Sequence, residues 1–157
     1  KLRTFVYNRF GYNAYADDEN LVHLRATPFW NSRDGFGLTV GTDMAHVLSP
    51  SRLLRWDNVA TVSQETVGLD WRSALIHYQN LRAKRALAYQ VYIEGQTDEP
   101  ESLRQYGVRA TYRQPILFER IWTEALIGYY WPRTDPVLKR EGSAEVGLTL
   151  DLPFGGD

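Results

Sequence analysis

Three groups of residues in this chain are of types that can do chemistry. Ser73 and His77, with Asn80 close by, supply a hydroxyl, an imidazole and an orienting amide, the parts of an ester hydrolase. Their spacing works against that use, because four residues along an extended strand is about 13 Å and a Ser–His hydrogen bond needs about 3 Å. His23 and His46 could join Asp43 or Asp57 around a metal, yet no two of these stand at a characteristic metal-site spacing. Gly35-Phe36-Gly37 is too short for a phosphate-cradling loop and reads as a turn glycine entering a strand. The sequence therefore names no catalytic residue, no metal ligand and no cofactor. The third group is the largest: Arg55, Asp57, Asp70, Arg72, Glu94, Arg109, Arg113, Arg120, Glu124, Glu145 and Asp151. Of the 18 basic residues 15 are arginine, whose planar fork suits pairing with carboxylates. As a working site these rows would line a pore or hold a polar solute. As structure they would fill a narrow lumen with paired charge, and the mixture of signs, which leaves little net field to select a solute, favours that use.

A strand period of two is what would place such rows on one face. From Ser143 to Phe154, Val146, Leu148, Leu150, Leu152 and Phe154 share one side, and Ser143, Glu145, Gly147, Thr149 and Asp151 the other. Between Thr66 and Leu75, Val67, Leu69, Trp71 and Leu75 oppose Thr66, Gly68, Asp70 and Arg72. Leu87, Tyr89, Val91 and Ile93 likewise oppose Ala88, Gln90, Tyr92 and Glu94. Only Trp71 to Leu87, with its Ala, Leu, Arg and Gln, leaves room for a short helix. About nine strands result, near residues 3–15, 21–30, 36–47, 53–62, 66–78, 85–96, 105–113, 120–131 and 142–154. The chain reads as all-β, and its 157 residues as a single domain.

Most of these strands run to about 9 to 14 residues, where five or six is usual. A strand tilted about 45° needs roughly 9 to 11 to cross the hydrocarbon core of a bilayer. The longest clearly apolar stretch, Ala125 to Trp131, is too short for a membrane helix. A net charge of -1 offers no field for nucleic acid, and the absence of Cys excludes disulfides and thiolate chemistry. Alternation alone serves equally a soluble barrel with its apolar face inward and a membrane barrel with that face outward. Aromatics near strand ends on the apolar side, Trp56, Trp71, Tyr129, Trp131 and Phe154, suit the girdles at two membrane interfaces. The connections fall into two alternating sets. Residues 16–20, 49–51, 79–84 and 114–119 form one, and 31–35, 63–65, 96–102 and 132–141 the other, which includes the longer, Pro- and acid-rich members typical of outside loops. Nine strands that end on the periplasmic side must begin outside, whereas single-chain bacterial barrels have an even number, so one or more strands are expected ahead of Lys1-Leu2-Arg3.

Two resemblances sharpen this. The run Val146-Gly147-Leu148-Thr149-Leu150-Asp151-Leu152-Pro153-Phe154 resembles the C-terminal β-signal of outer-membrane proteins, which implies recognition by the barrel-assembly machinery; Gly155-Gly156-Asp157 after the aromatic departs from it. The segments Arg52-Leu53-Leu54-Arg55-Trp56-Asp57-Asn58, Arg85-Ala86-Leu87-Ala88-Tyr89, Tyr106-Gly107-Val108-Arg109, Tyr112-Arg113-Gln114 and Trp131-Pro132-Arg133 resemble a group of proteobacterial outer-membrane β-barrel proteins of uncharacterised function, from about Leu38 onward. That resemblance implies an outer-membrane location, contact with the lipid bilayer and lipopolysaccharide, and no catalytic residues. The leading expectation is thus an antiparallel up-and-down transmembrane β-barrel, the C-terminal part of a larger even-numbered one. It would act without enzymatic chemistry as a porin-like channel or an envelope scaffold or assembly component. Two other readings are a soluble lipocalin-like barrel holding an apolar small molecule, and an outer-membrane lipid hydrolase or acyltransferase using Ser73 and His77.

Overall fold

The computed structural model describes residues 4–33, 35–98, 102–116, 121–134 and 139–151. These form eleven strand segments in one antiparallel sheet: β1 (Phe5–Tyr7), β2 (Phe10–Ala16), β3 (Asn20–Asn31), β4 (Gly35–Ser49), β5 (Arg52–Ser63), β6 (Asp70–Asn80), β7 (Ala86–Gln96), β8 (Leu103–Ile116), β9 (Ile121–Thr134), β10 (Lys139–Arg140) and β11 (Ser143–Asp151). From β2 to β10 each pairs with its neighbour in sequence, the up-and-down order that short connections enforce. Two pairs of segments share a lane: β1 and β2 both pair with β3, and β10 and β11 both pair with β9, leaving nine lanes. The described residues contain no helix, and 71–87 holds β6, a turn and the start of β7.

Both interruptions lie opposite a proline. Asn8 and Arg9 break the first lane beside Thr27 and Pro28, and Glu141 and Gly142 break the last lane beside Trp131 and Pro132. Proline has no N–H to give the ladder, so a lane alongside it tends to bulge or part. Pro132 nevertheless lies inside β9, which runs on to Thr134; the loop expected from residue 132 begins later. The opposite correction applies before β6. Gly68 has φ +85, a left-handed conformation, and the strand starts only at Asp70. Val67 and Leu69 therefore belong to the connection, despite their alternation with Trp71.

The lanes are not level with one another. The strand ends Ala16 and Asn20, Ser49 and Arg52, Asn80 and Ala86, and Ile116 and Ile121 lie along one rim, and Asn31 and Gly35, Ser63 and Asp70, Gln96 and Leu103, and Thr134 along the other. One row of register partners passes through Val22, Met44, Trp56, Leu75, Val91, Val108, Tyr129 and Ala144. It begins at the third residue of β3, close to the first rim, and crosses β9 at Tyr129, the ninth residue from that rim. A stagger that accumulates in one direction is the geometry that curls a sheet toward a barrel. Among the described residues no ladder joins the first lane to β11, and with nine antiparallel lanes these two edges run in the same direction.

At the β2–β3 turn, Asp17 Oδ1 accepts the backbone N–H groups of Glu19 at 2.9 Å and Asn20 at 2.6 Å, and Oδ2 accepts the Tyr15 hydroxyl at 2.6 Å. The Tyr15 hydrogen bond, followed by the two from the backbone, lowers the Asp17 carboxyl to about 2. An acid lowered by folding supports the turn above its unfolded value, about 3.9, and loses that support as pH falls through the folded one. A carboxyl titration followed by NMR should place the Asp17 midpoint near 2. Exchange at the Glu19 and Asn20 amides should rise only below about pH 3, and in Asp17→Ala at every pH.

Candidate functional site

Because register partners share a face, the ladders sort the side chains into two surfaces. One carries Leu24, Val40, Met44, Trp56, Leu75, Val91, Val108, Ile127, Val146 and their row-mates, and it is the exposed one: Val146 is 83% accessible and Ile127 62%. The other carries Arg55, Asp57, Asp70, Arg72, Glu94, Arg109, Arg113, Glu124, Glu145 and Asp151 together. It also carries the buried side chains, Ala74 at 3%, Tyr92 at 4% and Gln96 at 8%. The covered side of this sheet is therefore the polar one, the reverse of a water-soluble core. Arg120 and Phe154 lie outside the described residues.

The polar face is held by arginines that reach across a strand. Arg25 on β3 passes over Gly41 on β4 to meet Asp57 on β5 at 2.6 Å. Arg109 on β8 passes over Gly128 on β9 to meet Glu145 on β11 at 3.0 Å. The glycines give the clearance: a Cβ at Gly41 would come within 2.6 Å of Arg25 Nε, and one at Gly128 within 3.0 Å of Arg109 Cγ. Arg55 holds Asp43 through both Nε, at 2.7 Å, and Nη2, while Arg113 reaches Asp151 at 3.4 Å. Arg25 and the spanning glycines escaped the reading of the sequence, and Asp43 enters it only as a metal ligand, although their position in the alternation would have shown them.

Tyr92 is the centre of this face. Its ring lies against Gly107, where a Cβ would sit 2.9 Å from Tyr92 Cε1, and its hydroxyl accepts the Gln105 amide at 2.9 Å. The Arg72 and Arg109 guanidinium groups stand 5.3 and 4.9 Å from the ring centre, within cation–π range. Arg113 stands 4.8 Å from the Trp122 ring in the same way. Arg72 and Arg113 thus turn toward aromatics and away from the acids directly opposite them, Glu94 and Glu124.

The aromatics of the apolar face are distributed along the strands. Trp71 and Trp131 lie near the ends of β6 and β9, with Tyr106 stacked on Trp131 at 5.1 Å and Tyr129 edge-on to it at 4.8 Å. Trp56, the fifth residue of β5, lies nearer the middle, where its Nε1–H donates to Ser73 Oγ at 2.8 Å. Ser73 in turn donates to Asn58 Oδ1 at 2.7 Å, while His77 stacks on Tyr89. Ser73 and His77 share the apolar face but serve separate partners, so no diad forms. His23 and His46 lie on opposite faces, each bonded through Nδ1 to an asparagine, Asn13 and Asn20 respectively. Among the described residues no three metal-binding side chains come together.

Comparison of the chain with protein-family models, with curated proteins and with solved structures found no match. The account of this face rests on its geometry, which a double-mutant cycle can measure. Arg109→Ala, Glu145→Ala and the double variant should give a coupling of about 0.5–1.5 kcal/mol in denaturant unfolding, the range for a partly exposed, hydrogen-bonded pair. Gly128→Val, which drives a side chain into Arg109, should reduce that coupling to near zero.

Proposed function

We propose that this sheet is the wall of a β-barrel in a bacterial outer membrane, its apolar face against lipid and its polar face on the lumen. It would serve as a non-enzymatic pore-forming or scaffold component. The observation that carries the reading is the sorting of charge. Among the described residues, away from the strand ends, the apolar face holds no Asp, Glu, Lys or Arg in any of the nine lanes, while the polar face holds paired arginines and acids. Charges reach the apolar side at the rims, at Arg52, Arg133 and Arg140, where a bilayer's headgroups would lie. Strands of 11 to 15 residues from β3 through β9 exceed what a tilted crossing requires. The progressive stagger is of the kind a closed barrel needs. A lipocalin-like barrel would cover its apolar residues, and here those residues are the exposed ones.

Lane parity extends the proposal. The two free edges run parallel, so an all-antiparallel barrel requires an odd number of further strands between β11 and the first lane. On this reading those strands close the gap between the two edges and complete the wall. Lipid and lipopolysaccharide are the partners of the apolar face.

The reading is tested on the protein from its native envelope fraction. It predicts extraction only with detergent and a gel mobility that shifts on boiling; a water-soluble protein without the shift would exclude it. A paired substitution separates the faces. Val91→Arg, in the middle of β7 on the apolar side, should destabilise the barrel in lipid vesicles by about 2–4 kcal/mol, while the adjacent Gln90→Arg on the polar side should change it by less than about 1 kcal/mol.

A further inference from the structure

Charge pairing on the polar face breaks down most fully where both members of a register pair lack an ion pair. Near the rim where β5 and β7 end and β6 and β8 begin lies a recess of about 260 Å³ whose lining includes Thr61, Asp70, Arg72, Glu94 and Arg104. Arg104 is engaged with Asp70 at 3.3 Å. Arg72 and Glu94 are direct register partners on β6 and β7, the arrangement in which opposite charges ordinarily meet. Here they do not meet, because the Arg72 guanidinium lies over the Tyr92 ring at 5.3 Å. Gln105, the partner of Glu94 on its other side, likewise gives its amide to the Tyr92 hydroxyl. Both neighbours of Glu94 pass it by. Among the described residues neither Arg72 nor Glu94 has an ion pair, and both are half-buried in the wall of one recess.

We propose that this recess binds a small zwitterion of the α-amino acid class, its carboxylate on the Arg72 guanidinium and its ammonium on the Glu94 carboxylate. An anion alone would leave Glu94 unmatched and repel it, and a cation alone would do the same to Arg72. A solute with one charge of each sign answers both groups and adds no net charge to the recess. The Tyr92 ring, held by Gln105 and also in contact with Arg109, keeps Arg72 in place for the carboxylate. The site rests on the recess alone and does not depend on the membrane reading.

Isothermal titration of the purified protein in detergent micelles with L-alanine, acetate and methylammonium tests this directly. Saturable binding of L-alanine is expected, with acetate and methylammonium each weaker by about tenfold or more. Arg72→Gln and Glu94→Gln should each weaken L-alanine by about tenfold, and Thr111→Ala, on the same face but outside the recess, should leave it unchanged. Absence of saturable heat with L-alanine would overturn the proposal, as it would if Arg72 and Glu94 simply close on each other in solution. Equal affinity for acetate, or binding unaltered in either variant, would overturn it too. Should a variant fail to fold by circular dichroism, the comparison of the three solutes on the unmodified protein decides the matter.

Discussion

Register is the constraint on which the rest of this structure depends. Side chains alternate with a period of two, so slipping one lane by a single residue would carry its arginines and acids to the apolar face and its leucines and valines to the polar one. The ladders hold that alternation in step through nine lanes, and the irregularities between Asn13 and Tyr15, Val47 and Ser49, and Glu94 and Gly95 sit toward the strand ends. Exposure, charge pairing and the aromatic clusters all follow from this one arrangement.

Given that register, the polar face meets the problem of packing long charged side chains on a curved sheet by pairing large residues with absent ones. Arg25 lies over Gly41, Arg109 over Gly128 and Tyr92 against Gly107. Each spanning arginine ties together three strands, so the charges brace the sheet across its lanes as well as neutralising one another. Cation–π contacts at Tyr92 and Trp122 compete with this pairing, and where an aromatic takes the arginine the acid opposite is left over. At Glu124 the opposing Arg113 still holds Asp151, whereas at Glu94 the opposing Arg72 has no acid at all among the described residues, and that is what marks the Glu94 recess as different from its surroundings.

The strands were legible in the sequence because each long alternating run is its own evidence, and the lane positions near 21–30, 36–47, 53–62 and 85–96 are those of β3, β4, β5 and β7 to within a few residues. Where local chemistry misleads, the reading slipped. Val67 and Leu69 alternate with Trp71 but are cut off by the left-handed Gly68, and Pro132, which reads as loop, is tolerated inside β9 because the neighbouring lane parts beside it. The list of polar-face residues from Arg55 to Asp151 came directly from alternation, whereas Arg25 was passed over and the pairing of Asp43 and the central place of Tyr92 were not read. Their weight lies in what they meet on neighbouring strands and, for Arg25, two lanes away.

The sequence by itself determined that this chain is all-β, that its strands are long, and that each has one apolar and one charged side, since these follow from residue type at a fixed period. It could not determine which side is covered, because the same alternation fits a sheet curled in either sense. The tertiary structure adds the burial: Ala74, Tyr92 and Gln96 are covered on the charged side, while most residues of the apolar side are exposed. It also decided which charges pair, because Arg25 with Asp57 and Arg109 with Glu145 are brought together across intervening strands, by a register that no local pattern encodes.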